Sequence, residues 1–300
     1  MTIAMTAAAP AATLRAFVSG VGNDSNTASN CAHAAPCRTF AAALTVISPR
    51  GEIEALDPAG YGPITINGPL SIVGVPGAAI NAPSGGAGII INAQANEAVH
   101  LQGLLIDGSG VGTTGIQFNS GGSLVVENCV IRNLTNDGIN VYNSTATVQV
   151  LISNTLVADN GFYGIFIFPR TAGSATATFN RVKTSKNFAA NIILEGDQTT
   201  GTVRGTAIDS VAVGSTSSSD GSGFEAFGAQ AELNLFSSVA SHNRVGVTAG
   251  GGGGTVRLYQ TMVTGNTVGW NGGTVMSYVN NSIDDNGCCE SPPGSVLPLK

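Results

Sequence analysis

The chain has 300 residues, 10% of them charged and 43% hydrophobic, with 41 glycines and a formal net charge of -6 at pH 7. Only twelve Lys and Arg make polyanions such as nucleic acid poor partners, and no apolar stretch is long enough to cross a bilayer as a helix. A composition rich in glycine and poor in charge suits many short strands joined by tight turns.

Residues 1–12 are Ala-rich and end in Ala7-Ala8-Ala9-Pro10-Ala11-Ala12. They read either as the remnant of a secretory leader, with Met1 or Met5 internal to a longer precursor and the mature chain starting near Thr13, or as a disordered tail. Residues 13 to 80 form an entrance segment: Phe17-Val18-Ser19, a polar loop, and Pro36-Cys37-Arg38-Thr39-Phe40-Ala41-Ala42-Ala43-Leu44. The stretch Thr39 to Ile47 is predicted helical and placed over the first coil, covering hydrophobic core that would otherwise lie open. Cys31 and Cys37 close a short loop there and are expected to pair, which favours an oxidising compartment.

From Gly51 onward short apolar runs begin, and then one phrase recurs: Asn128-Cys129-Val130, Asn154-Thr155-Leu156, Asn180-Arg181-Val182, Asp209-Ser210-Val211, Ser237-Ser238-Val239, Gln260-Thr261-Met262 and Asn280-Asn281-Ser282. The spacing of roughly 20–29 residues marks a solenoid whose loops vary around a fixed cross-section. Asn154 and Asn180 are accordingly expected one above the other in adjacent coils. A second polar stop follows at Asn160, Asn243, Asn266 and Asn286, with Asn133 and Asn187 one position out of step, and stacked amides can hold a turn at this place in each coil. After it come Gly115-Ile116, Gly138-Ile139, Gly164-Ile165, Gly223-Phe224 and Gly246-Val247, each opening a strand of period two. Cys129 shares a row with Thr155, Arg181, Ser210, Ser238 and Thr261 and is expected to face outward. Leucine-rich repeats share the period but need a leucine register. A β-sandwich would not explain Asn and Gly recurring in order.

Across nearly its whole length the chain resembles the right-handed parallel β-helix, or pectin-lyase-like, superfamily. The resemblance rests on Phe17-Val18-Ser19, Pro36 to Leu44, Leu70 to Gly74 and the Asn, Val, Asn, Gly-Ile coils from Gln102 to Asn286. It implies an all-β solenoid with a short N-terminal capping helix. We expect one domain over residues 13–286, about nine coils at about 4.8 Å each, with a C-terminal tail over 287–300. Function does not follow from this fold, which hosts lyases, hydrolases, epimerases, tailspikes and adhesins.

Thr135-Asn136-Asp137-Gly138-Ile139 is similar to the Asn-Thr-Asp-Gly-Ile motif of polygalacturonases with two residues exchanged, making Asp137 the catalytic candidate. The rest of that family's set is missing: Phe162 and Tyr163 stand where an Asp pair is expected, no Gly-His-Gly follows, and Arg181-Val182-Lys183 falls in the wrong part of its coil. Inverting hydrolysis needs two facing carboxyls. Asp107, Glu127, Asp137 and Asp159, with Arg132 nearby, occupy different positions within the repeat and are not expected to gather round one cation. No metal site or cofactor is assigned. His33, His100 and His242 lie apart, no Cys-x-x-Cys pair exists, and one of Cys288 and Cys289 could pair elsewhere.

Alternation is more informative. With Ile139, Val141, Ile165, Ile167, Ile192, Leu194, Phe224 and Ala226 inward, Asn140, Tyr142, Phe166, Phe168, Ile193, Glu195, Glu225 and Phe227 point outward on consecutive coils. Rings beside amides and carboxylates suit sugar recognition. Asn140, Tyr142, Phe166, Phe168, Glu195, Glu225 and Phe227 are therefore the candidate substrate-binding residues. The expected role is that of a secreted, extracellular or periplasmic protein that binds or acts on polysaccharide. Two alternatives stand beside it: a lyase or glycoside hydrolase with an unorthodox site, and a structural or adhesive rod that self-associates through the aromatic face. The tail from Ser291 to Lys300 is another candidate cover for that face.

Overall fold

Short β-branched runs cannot bury themselves alone, and here each finds its partner one coil above and one below. The computed structural model describes residues 12–144, 146–290, 293 and 295–298; the leader or tail expected over residues 1–12 lies outside the described residues but for Ala12. Three parallel sheets run the length of the rod, the first of twelve strands and the second and third of nine each. One coil shows the plan: Thr147–Ser153 in the first sheet, Leu156–Ala158 in the second and Ile165–Ile167 in the third, after which Ser174–Asn180 returns to the first. All the pairings within these three sheets are parallel, and in the second sheet Val130, Leu156, Lys183, Val211, Val239 and Met262 stack in register.

The interior is made of apolar columns. Ile116, Ile139, Ile165, Ile192, Phe224 and Val247 form one, and Phe118, Val141, Ile167, Leu194 and Ala226 the next, all fully buried. Each large side chain so buried contributes about 1.5–3 kcal/mol. The glycine before the first column is fixed by close approach: a Cβ at Gly138 would lie 2.4 Å from Val157 Cγ1 and 2.7 Å from the Gly164 carbonyl oxygen.

Two corners are held by polar side chains turned inward. At the corner from the second to the third sheet, Asn160 Nδ2 donates to Asn187 Oδ1 at 2.8 Å, Asn243 Nδ2 to Asn266 Oδ1 at 3.2 Å and Asn266 Nδ2 to Asn286 Oδ1 at 2.9 Å. Asn187 is in step after all, because Lys183 and not Val182 lies opposite Leu156. The residue before each ladder position takes the left-handed conformation: Asn133, Asp159, Lys186, His242 and Asp285 have φ of 53 to 59°. One coil offers Ser215 where an asparagine is expected, and Asn191 fills the gap. It accepts from Asn187 Nδ2 at 2.8 Å and donates to Asn243 Oδ1 at 3.0 Å, 52 residues along the chain.

At the corner from the first to the second sheet the structure corrects two readings. Arg181, not Asn180, lies over Asn154, donating from Nε to Asn154 Oδ1 at 2.7 Å, while Asn180 pairs with Ser153. The repeated phrase is shifted by one there, since its first position is the one with positive φ, shared by Asn128, Asn154, Arg181, Asp209, Ser237 and Gln260. The following row, Cys129, Thr155, Val182, Ser210, Ser238 and Thr261, is buried rather than outward. Its hydroxyls satisfy themselves locally: Thr155 donates to Ser153 O at 2.8 Å and accepts from Cys129 N at 3.3 Å, and Ser210 and Ser238 repeat the pattern. Cys129 fills one place in this hydroxyl column as a free buried thiol.

The entrance segment closes one end. Thr13–Val18 pairs with Ile47–Ala55. The capping helix spans Phe40–Leu44 and is shorter than expected, because the β-branched Thr45-Val46-Ile47 leads straight into that strand. Thr39 caps it by accepting from Ala42 N at 3.1 Å, and Phe40 and Ala43 are buried beneath it. Cys31 and Cys37 are joined. At the other end Ser295–Leu297 adds the last strand of the first sheet, so this part of the tail does not cover the aromatic row of the third.

Candidate functional site

The third sheet brings the outward residues of consecutive coils into two columns. One runs Gln117, Asn140, Phe166, Ile193, Glu225 and Thr248; the other, along the strand ends, carries Tyr142, Phe168, Glu195 and Phe227. The inward residues between them are all core, while of the alternate ones Ile193 is buried too, at 3% exposure, so alternation gave the direction of these side chains and not their exposure. On the earlier coils the face is amide: Asn92 Nδ2 donates to Asn67 Oδ1 at 3.4 Å, and Asn119 Nδ2 to Asn92 Oδ1 at 2.9 Å.

Where the amides stop, a rib of rings crosses the sheet. Phe162 packs on Tyr163 with centroids 4.3 Å apart, Tyr163 on Phe166 at 4.6 Å, and Phe166 stacks on Phe168 at 4.8 Å with planes 12° apart. Tyr142 meets Phe168 edge-on at 6.0 Å. The Arg170 guanidinium closes the rib, 4.6 Å from the Phe168 ring centre and 5.1 Å from that of Tyr142. Phe168 is therefore outward yet only 8% exposed, covered by its neighbours, whereas Tyr142, Phe166 and Phe227 stay partly open. Arg170 makes no ion pair among the described residues. Phe162, Tyr163 and Arg170 belong to this cluster but lie in turns, where period two gives no direction; the adjacent aromatic pair was the available signal.

Beyond the rib come the acids. Burial, above all, pushes the Glu195 carboxyl up to about 7, with help from an Asp197 hydrogen bond and the charges of Asp197 and Glu225 and against the opposing pull of Arg170. Burial likewise holds Glu225 at about 7, eased by a Ser222 hydrogen bond. The Tyr163 hydroxyl is pushed well above its usual range by burial and by Glu225, Glu195, Asp137 and Asp220. Asp137 is 2% exposed; it accepts from Asn140 Nδ2 at 2.8 Å and from Tyr163 N at 3.1 Å, and burial raises its pKa. One oxygen ties to the next coil through Tyr163 N and the other holds the Asn140 amide of its own coil, an arrangement suited to a turn anchor.

The remaining acids go elsewhere. Asp107 accepts from Arg132 Nε at 3.0 Å and Glu127 from Ser153 Oγ at 3.0 Å, and Asp159 lines an open groove of about 680 Å³ with Asn133, Lys186 and Phe188 at the asparagine corner. Among the described residues no group of three or more His, Cys, Asp or Glu could hold a metal ion. Cys288 and Cys289 are free and exposed.

The sequence profile of the family described as "Right handed beta helix region" matches residues 87–268. Among solved structures the chain is similar to pectate lyase Pel9A, with a TM-score of 0.60 and 17% identity over 90% of this chain and 70% of that one. It is also similar to the A-module of the Azotobacter vinelandii mannuronan C-5 epimerase AlgE4, with a TM-score of 0.56 and 16% identity over 79% of this chain and 70% of that one. At these identities the likeness is one of fold. No curated protein sequence matches the chain.

Proposed function

We propose, from the premise that this chain belongs to the right-handed β-helix family, that the outer face of its third sheet binds polysaccharide, and in particular a chain carrying carboxylates. The observation that carries this reading is the aromatic rib ending in Arg170, a guanidinium stacked on Tyr142 and Phe168 that makes no ion pair among the described residues. Partly open rings offer apolar surface to the C–H face of a sugar, and a stacked guanidinium offers a planar fork to a carboxylate. Glu195 and Glu225, held near 7, are largely neutral in mildly acidic solution and so would not repel such a chain there. The solved structures of similar fold, a pectate lyase and a mannuronan epimerase, support a polysaccharide as the ligand. The Cys31–Cys37 disulfide supports a place of work outside the cytosol.

The test is a glycan array and titration calorimetry on the purified chain at pH 5.5, with polyuronates beside neutral glycans. Polyuronate binding is expected, weakened about tenfold by Arg170→Gln, the loss of one charge-assisted contact. Absence of glycan affinity in the parent, with self-association lost in the Arg170 variant, would instead identify the face as an interface between copies. A second reading, cleavage of the bound chain, is favoured by the two raised carboxyls alone. It requires new reducing ends or unsaturated uronates on incubation, abolished by Glu225→Gln with binding kept.

A further inference from the structure

The last coil ends in adjacent exposed thiols, Cys288 and Cys289, whose Sγ atoms lie 3.2 Å apart. Neighbouring side chains on an extended backbone point to opposite faces. Here they converge, with Cys289 at φ 61°, in the left-handed region that cysteine rarely enters. The segment is firmly tied. Asn286 Oδ1 accepts from Asn266 N at 3.1 Å and Nδ2 at 2.9 Å, and Gly287 N donates to Asn266 O at 2.9 Å. The Asn286 N–H, which has no further asparagine above it, donates to the Glu290 carboxylate at 2.7 Å. Gly269 N donates to Cys288 O at 2.9 Å, the bond that Gly138 makes to Tyr163 and Gly164 to Ala190 in earlier coils. Residues 286–290 thus imitate the corner of one more coil and cover the open end of the third sheet.

We propose that Cys288 and Cys289 are a reversible oxidation site, closing to a vicinal disulfide that locks this C-terminal cap. Each has the other as its natural partner, since Cys31 and Cys37 are already joined and Cys129 is buried. A tetrahedral zinc, with sulfurs at about 2.3 Å, would want them about 3.8 Å apart. The oxidant is a low-molecular-weight disulfide. One thiolate attacks it and expels the first small thiol, leaving a mixed disulfide. The neighbouring thiolate attacks the protein sulfur of that bond and expels the second. The chain loses two hydrogen atoms and the small disulfide is reduced to two thiols. Consecutive Cα atoms lie about 3.8 Å apart, short of the usual disulfide span of about 4.4–6.8 Å, so the closed form reopens readily on reduction.

The full chain is equilibrated with mixtures of reduced and oxidised glutathione, free thiols are alkylated, and the peptide holding both cysteines is weighed. It is expected to lose two hydrogens and escape alkylation as the mixture becomes oxidising, to recover on reduction, and to slow hydrogen exchange at Gly269 N about fivefold when closed. Cys288→Ser and Cys289→Ser each abolish both effects while circular dichroism stays unchanged. Alkylation of both thiols at every ratio, or two chains joined through them, overturns the site. Closure with no slowing at Gly269 overturns the lock.

Discussion

The side-chain amide of Asn243 uses its full hydrogen-bonding capacity. It accepts from Ser215 N and Asn191 Nδ2 and donates to Ala212 O and Asn266 Oδ1, all within 3.0 to 3.2 Å. Asn243→Ala strands these partners in the interior and is expected to cost about 3 kcal/mol or more, read as a shift in urea midpoint. Exposed Asn154, which receives Arg181 at the other corner, should cost about 1–2 kcal/mol on the same change, chiefly from placing alanine at its φ of 47°. Glu225 supplies a different test. Its carboxyl ionises near 4.5 in the unfolded chain and about 7 in the folded one, so the folded state holds the extra proton between those values. That contribution to stability is whole below about pH 4.5 and is lost as pH rises through about 7. The melting temperature is therefore expected to fall between pH 5 and pH 8, and Glu225→Gln to flatten the fall by on the order of 2–4 °C. An unchanged profile in the variant would place the proton elsewhere.

Strands of three residues with inward side chains at both ends left little freedom, and alternation across Ile139–Val141 and Ile165–Ile167 was enough to set both the core columns and the outer face. Turns gave no such direction. Arg170 and Tyr163 reach the rib from turns, and Ser210 and Ser238 looked like surface residues because a hydroxyl bonded to its own strand's carbonyl carries no mark in the sequence. The burial of Phe168 was hidden for a related reason, since the ring and guanidinium that cover it come from its own side of the sheet. Two rings of one rib should therefore behave differently. Tyr142→Ala is expected to weaken glycan binding about tenfold, or about 1.4 kcal/mol, with little change in unfolding. Phe168→Ala should instead destabilise the fold by about 2–4 kcal/mol, measured in urea.

The molecule as a whole is a stack in which each coil pairs its strands only with the coils next to it, the Asn191–Asn243 bond across the Ser215 coil apart, so it should accept material by the coil and not by the half coil. Val157 lies opposite Thr184 in the second sheet. Duplicating residues 157–183 after Lys183 repeats every column in register, and the product should unfold cooperatively with at least the parent's midpoint. Inserting residues 157–169 alone puts each following strand against the wrong sheet and should leave no cooperative transition. Recovery of the parent's melt by that variant would contradict the nearest-neighbour picture. The asparagine corner adds a property that no single coil has. From Asn160 through Asn187, Asn191 and Asn243 to Asn266, each amide nitrogen donates to the next amide toward the C-terminal end, Asn286 being the last acceptor. Their dipoles add head to tail, each bond polarising the next, which gives the rod an electrical direction with its positive pole at the last coil. The carboxylate of Glu290 stands at that pole, as an acidic residue stands at the start of a helix.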